Sequence, residues 1–309
     1  MTEPVVPHFT KEYHRAPYPS ISPTRPELSA AGKTIIITGA AGGIGTAICK
    51  AFVDAGAKNL IALDFNQLGL LKLKKQLEDD GSSKIHPIVL DITNTEAVKR
   101  TFDNIESAFG KADVLVNNAG YHSQKQPLFE LDIDDWYRNF DINVKGSFIV
   151  AVEFLRHAKP DAVLINLSSI VAHYGVRRGY SKHGSGYAAS KIAITKVMDI
   201  IQEEVPNVRI VNMHPGLVAT AMAARAGTTE DSGDSGKPCP YYFLPESLFT
   251  KAGPVDLPGH FAVWLASPEA EFTKARLVWS NWDVDEMMER KNEIIEKDLL
   301  RLELSGIQQ

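Results

Sequence analysis

Tyr187 and Lys191 stand four residues apart, so on a helix they share a face. A phenol of ordinary pKa, about 10, is a poor base near neutrality. A neighbouring ammonium favours the phenolate and draws that pKa toward the working pH, as a general acid/base requires. Such pairs are also common on exposed helices, so this one needs company. Ser168-Ser169 follow an apolar run over 163–167, which puts them at the C-terminal end of a strand, where open α/β sheets bind ligands. Further back, Thr38-Gly39-Ala40-Ala41-Gly42-Gly43-Ile44-Gly45 lies between an apolar run and a helical pattern. Glycines there permit a tight turn and let the backbone approach a pyrophosphate, which the amides and dipole of the following helix stabilise. Asp64 ends the next apolar run, 19 residues beyond Gly45. From that position a carboxylate bonds an adenosine ribose diol and repels a 2′-phosphate. Its neighbours Gly42 and Phe65 offer no cation to such a phosphate, so NAD(H) is favoured over NADP(H). Asp91, closing Pro87-Ile88-Val89-Leu90-Asp91, could bond an adenine amino group or cap the helix that follows.

These groups need a scaffold, and the hydrophobic pattern supplies one. Apolar runs over 34–38, 60–64, 85–90, 114–116, 163–167, 208–213 and 277–279 read as strands. Helical spacing occupies 44–55, 66–79, 94–109, 132–157, 187–204, 255–266 and 283–303. The alternation predicts an α/β fold, a single-domain doubly wound parallel sheet of about seven strands with helices on both faces. Six prolines within residues 1–31 make that stretch an extended N-terminal arm, free to lie on its own domain or on a neighbouring subunit. Residues 32–309 form one Rossmann-like domain, with a Gly-, Ser- and Asp-rich loop inside 221–254.

With 44% apolar and 23% charged residues, the chain of 309 is not disordered throughout. A net charge of −5 gives no general attraction to nucleic acid or anionic membrane, and no run reaches the roughly 20 apolar residues of a membrane span. Two cysteines, Cys49 and Cys239, form neither a disulfide framework nor a metal motif. The expectation is a cytoplasmic protein without a bound metal, acting on a small molecule.

The motifs, taken in order, resemble the short-chain dehydrogenase/reductase family over about residues 33–220. Thr38, Gly39, Gly43 and Gly45 match its glycine pattern; Asn117-Asn118-Ala119-Gly120, Tyr187-Ala188-Ala189-Ser190-Lys191 and Pro215-Gly216-Leu217-Val218-Ala219-Thr220 match three more of its motifs. The resemblance implies an NAD(H)-dependent oxidoreductase that interconverts a secondary alcohol and a ketone by direct hydride transfer. Tyr187 would be the general acid/base and Lys191 its partner, with Ser169 (Ser168 as the alternative) holding the substrate oxygen. Asn143 would support a water relay to the lysine, unless it only bonds backbone. Gly39, Ala41, Gly42, Gly43, Ile44, Gly45, Asp64, Phe65, Asp91, Ile92, Asn118, Ala119, Gly120, Pro215, Gly216, Val218 and Thr220 would surround the cofactor, together with Tyr187 and Lys191. Homodimers or homotetramers follow from the same likeness.

Two stretches depart from the pattern. The interval from Ser169 to Tyr187 is longer than usual and carries Arg177, Arg178, Lys182 and His183, which would favour an anionic substrate or simply face solvent. After Thr220, Tyr241-Tyr242-Phe243-Leu244 would form a lid over an apolar or ring-containing substrate. Trp279-Ser280-Asn281-Trp282 stands where the family usually has a glycine-rich ending, and this tail resembles a group of filamentous-fungal members, many of them in secondary metabolism. The alternatives are an NADPH-dependent ketoreductase and a non-redox dinucleotide-binding protein, either a cyclase or isomerase or a regulator.

Overall fold

Three consecutive isoleucines show how the sheet is buried. In strand β1, Thr34–Thr38, Ile35 and Ile37 join one apolar cluster and Ile36 the other, because successive strand residues point to opposite faces. All three are shielded from water, and each such burial contributes about 2–3 kcal/mol. Val114, Leu115 and Val116 in β4, and Val163, Leu164 and Ile165 in β5, divide between the clusters in the same alternating way. A sheet buried on both faces is what near-continuous apolar strands require.

The structure, a computed structural model, describes residues 8–78, 84–173, 182–225 and 255–303. Its strands are β1, β2 (Asn59–Asp64), β3 (Lys84–Val89), β4 (Ala112–Asn117), β5 (Ala158–Leu167), β6 (Arg209–His214) and β7 (Leu277–Trp279). They form one parallel sheet in the order β3-β2-β1-β4-β5-β6-β7. Helices α1 (Gly43–Asp54) and α2 (Gln67–Glu78) cover one face, and α3 (Thr95–Phe109) the other. Helices α4 (Ile133–Phe140), α5 (Ser147–His157) and α6 (Ser185–Glu204) follow; α5 and α6 bury Phe154 and Met198 beside α3. After a short α7 (Ala221–Arg225), α8 (Asp256–Leu265) packs on α1. The order of strands reverses between β1 and β4, which opens a crevice at their C-terminal ends.

The expected doubly wound sheet is therefore present, with three differences in detail. The single helix expected over 132–157 is interrupted by a π-helical turn, Asp141–Gly146. There the side chain of Asn143 is tied to the backbone of Tyr121, and Gly146 lies against Ile92 with no room for a Cβ. Strand β5 begins at Ala158 rather than 163, with a register irregularity opposite Ala112 and Val114. The terminal helix expected over 283–303 is two short helices, α9 (Val284–Glu289) and α10 (Lys291–Glu296). Beyond them Asp298 and Leu300 take positive φ, and the chain turns so that the Leu300 carbonyl accepts from the Leu277 amide at 2.8 Å.

The proline-rich arm lies on its own domain. Prolines start two short 3-10 turns, Pro19–Ile21 and Pro26–Leu28, and Ile21 and Leu28 are inserted into the main apolar cluster. Arg25 grips Glu269 through two hydrogen bonds of 3.1 and 2.7 Å. Farther out, the Lys11 and Glu12 amides donate to Glu286, His14 bonds Asp283 at 2.7 Å, and Arg290 lies 3.8 Å over the Phe9 ring. The arm is thus fastened to the segment that follows β7.

Candidate active site

The loop after β1 owes its shape to two glycines. Gly39 has φ of +63° and lies so near Asn118 and Ala119 that a Cβ would come within 2.9 Å of both. At Gly45, the first turn of α1 passes over the Gly39 carbonyl and leaves no space for a side chain. Asn118 fixes this loop from β4, donating its amide hydrogens to the carbonyls of Thr38 at 2.8 Å and Gly39 at 3.1 Å. The Thr38 hydroxyl accepts from the amides of Asn118 and Ala119 at 3.0 and 2.9 Å. Asn118 is thus a loop fastener as well as a wall of the crevice. Gly42 and Gly43 are exposed, and no side chain caps α1. Thr220 faces them across the crevice, 3.5 Å from where a Gly43 Cβ would stand.

Asp64 is buried at the end of β2 and accepts from the Ala41 amide at 3.0 Å and the Asn66 amide at 2.9 Å. Its two oxygens retain lone pairs for a ligand diol. Phe65, next to it, is 81% exposed. Asp91 does not cap α3; Asn94 does, accepting from the Ala97 amide, while Asp91 bonds the amide and hydroxyl of Thr93. Ile92 is buried against the π-helical turn. Gly216 takes φ of +82° and abuts Asn281, and Val218 is half-buried beyond it. Among these residues an uncapped helix start, a glycine-lined crevice and a buried carboxylate on its rim suit a dinucleotide.

The catalytic candidates meet at the ends of β4, β5 and α6. Ser169 and Ser168 are separated by geometry. The Ser168 hydroxyl is buried against Thr195 at 2.7 Å, whereas the Ser169 hydroxyl accepts from the Val171 amide at 3.4 Å and lies on the side of Tyr187, whose pKa it lowers. Lys191 is 5% exposed, and its Nζ donates to the Leu167 carbonyl at 2.7 Å, 5.8 Å from the centre of the Tyr187 ring. Asn143 is wholly buried: Oδ1 accepts from the Tyr121 amide, and Nδ2 donates to the Tyr121 carbonyl and to Ser190. Its side chain thus ties the π-helical turn to the Tyr121 backbone and to α6. Gly120 lies between, with Asn143 Oδ1 and Lys191 Nζ both within 4 Å of its missing Cβ.

Burial pushes the Tyr187 phenol up from 10, and the Ser169 hydroxyl offsets part of that. The lowering expected from Lys191 does not set the balance here, because its ammonium is turned to the Leu167 carbonyl. Burial in turn pulls Lys191 down to about 8. An unfolded chain keeps lysine near 10.5, so between about pH 8 and 10.5 the unfolded state binds the extra proton and folding stability rises with pH. Below 8 both states are charged and the native state carries the full cost, about 3 kcal/mol at roughly 1.4 kcal/mol per pH unit. Lys191→Met removes that cost. Urea unfolding should find its stability relative to the unaltered protein highest at pH 7 and falling by about 3 kcal/mol toward pH 10.5. A difference independent of pH would contradict a depressed Lys191.

Three histidines were not singled out from sequence. The His122 ring stacks on Tyr187 with centroids 4.2 Å apart, and burial pulls its pKa down to about 4. His173 follows Ser169 by four residues, and His214 ends β6 just before Pro215. Their positions at strand ends on the ligand side were the available signal. Of the loop cations, Lys182 and His183 are exposed, while Arg177 and Arg178 lie outside the described residues, as do Cys239 and Tyr241 to Leu244. Among the described residues no cluster suits a metal ion, and no helix is long and apolar enough to cross a membrane.

Comparison with known proteins agrees with this fold. The family model for short chain dehydrogenases matches residues 33–231. A short chain dehydrogenase of the fungus Monascus purpureus is 30% identical over 309 aligned positions, covering 94% of each chain. Among solved structures, a short chain dehydrogenase of Shigella flexneri in complex with NADP superposes with a TM-score of 0.70 at 22% identity, over 83% of this chain and 99% of that one. A 3-ketoacyl-(acyl-carrier-protein) reductase of Brucella melitensis in complex with NADH gives 0.67 at 24% identity, over 81% and 97%.

Proposed function

Because this chain belongs to the short chain dehydrogenase family, we propose that it interconverts a secondary alcohol and a ketone by direct hydride transfer with NAD(H). Membership makes it an oxidoreductase of CH–OH donors that binds a nicotinamide dinucleotide. The observation that carries the finer reading is the meeting of Tyr187, Ser169 and Lys191 at the ends of β5 and α6, with Lys191 Nζ 5.8 Å from the Tyr187 ring centre and 3.7 Å from where a Gly120 Cβ would stand.

The residues that would hold the cofactor are the Gly39–Gly45 loop at the pyrophosphate, Asp64 at the ribose, and Asn118, Thr220 and Lys191 toward the nicotinamide end. When bound, it accepts or supplies hydride at C4 of the nicotinamide. Tyr187 takes the proton of the alcohol in oxidation and returns it in reduction. Ser169 donates to the substrate oxygen as charge develops on it, a contribution of a few kcal/mol for one well-placed donor. Lys191 holds a proton behind the tyrosine, and Asn143 keeps Tyr121 and the π-helical turn in place beneath them. The preference for NAD(H) rests on Asp64, whose carboxylate would repel a 2′-phosphate and makes no salt bridge among the described residues.

A homodimer or homotetramer in the cytoplasm is the accompanying proposal. Phe148 on α5 and Ile192 and Ile200 on α6 are each more than two-fifths exposed, apolar surface suited to a second copy. Incubation with NAD⁺ and a panel of ring-containing secondary alcohols should raise the absorbance of reduced nicotinamide. Tight dinucleotide binding with no absorbance change across alcohols and ketones would favour a non-redox role.

A further inference from the structure

The turn that begins at Ser169 is flanked by imidazoles that share one indole. The Trp279 Nε1–H donates to His173 Nε2 at 3.0 Å, so in the neutral ring the proton resides on Nδ1. That ring belongs to the turn Ser169 begins: the Ser169 carbonyl accepts from the Ala172 amide at 3.0 Å, the His173 amide donates to the Ile170 carbonyl at 3.3 Å, and the Ser169 backbone raises the imidazole's pKa against the pull of burial. On the other side, His214 Nδ1 accepts from the Ile170 amide at 3.2 Å. Both rings meet Trp279 edge to face, with centroids 5.4 and 4.9 Å away. The indole is itself fixed from behind. Trp282 stacks on it at 5.3 Å with planes only 7° apart, and the N-terminal arm packs on Trp282 through Phe9 and the Tyr18 hydroxyl.

We propose that Trp279, with His173 and His214, is a positioning cluster that sets the Ser169 hydroxyl against Tyr187, and that the arm and Trp282 hold this cluster rigid. The inference rests on the reading of Ser169 given above. Ser169 also starts a 3-10 turn, Ile170–Ala172, and its hydroxyl is only 3.4 Å from the Val171 amide. That amide already donates to the hydroxyl oxygen, so a loosened turn would carry the hydroxyl with it and away from the phenol. Trp279 is the last residue of β7 and 1% exposed, so sheet pairing fixes the indole independently of any ligand.

Trp279→Phe keeps an aromatic ring in the cluster but deletes the N–H. The readout is the titration of Tyr187, followed through its ¹³C-labelled phenol carbon and assigned by loss of the resonance in Tyr187→Phe. Besides Ser169, the groups facing this phenol among the described residues are His122, stacked on its ring, and Lys191, one helical turn on; neither is altered. Ser169→Ala should move the Tyr187 titration to higher pH, since a donor to the phenolate is lost. Trp279→Phe should move it the same way, and the double variant no farther than Ser169→Ala alone, because one change acts through the other. Thermal melting and NAD⁺ binding of each variant report folding, and both should stay close to the unaltered protein. A Tyr187 titration unmoved by Trp279→Phe yet moved by Ser169→Ala, or additive shifts in the double variant, would overturn the positioning role. A titration unmoved by Ser169→Ala would overturn the reading of Ser169 itself, and this inference with it.

Discussion

Tyr187→Phe should lower kcat by about 1,000-fold, in the range lost when a positioned acid/base is removed, while NAD⁺ binding changes less than about threefold. The phenol is the group whose pKa Ser169 lowers, and among the described residues the ring stacked on it is His122. His122 lies against the ring but carries its proton on Nδ1, which donates to the Ser123 carbonyl at 2.7 Å. With a pKa near 4, it is a weak proton acceptor at neutral pH and cannot take over. Removing one hydroxyl from a half-buried ring costs about 1 kcal/mol of stability, too little to unfold the sheet. Stopped-flow turnover and fluorescence titration of the cofactor separate the two effects. Turnover within tenfold of the unaltered enzyme would remove Tyr187 from the chemistry.

The second large effect is expected at Asp64. Asp64→Asn deletes the charge that opposes a 2′-phosphate and keeps one carbonyl oxygen for the two amides it now serves. Binding of NAD⁺ should weaken by about tenfold, the loss of one charge-assisted hydrogen bond, and NADP⁺ should gain a similar factor. The ratio of the two dissociation constants would then change by about 100-fold, or about 2.7 kcal/mol. Because Asp64 also holds Ala41 at 3.0 Å, melting temperature must be followed in parallel. An unaltered protein that already binds NADP⁺ the tighter would refute the assignment of Asp64.

Much of this was legible in the chain because it depends on local pattern. The apolar runs placed every strand of the sheet, and the Gly39–Gly45 loop and the Tyr187–Lys191 spacing lie within single turns of structure. What escaped notice depends on contacts between distant segments. The π-helical turn arises where Asn143 meets the backbone of Tyr121, and no local spacing announces that meeting. The terminal helix ends early because Arg276 and Leu277 engage Asp298 and Leu300 across a turn. The arm reads as extended from its prolines, yet Ile21 finds a place in the core through tertiary packing alone. His173 and Trp279 are 106 residues apart, and only the closing of β7 onto β6 joins them. Lys191 carries the same lesson for electrostatics: spacing predicts that it faces Tyr187, but burial and the Leu167 carbonyl decide what its charge does.

The central claim, a single hydride passed to carbon beside Tyr187, is most directly tested by isotope transfer. The protein is supplied with NADH carrying deuterium at both C4 positions and a ring-containing ketone, and the alcohol formed is weighed by mass spectrometry. The account predicts one deuterium on the carbinol carbon per cofactor oxidised, with no such product from Tyr187→Phe. Product that forms without deuterium, or without oxidation of the cofactor, would contradict it.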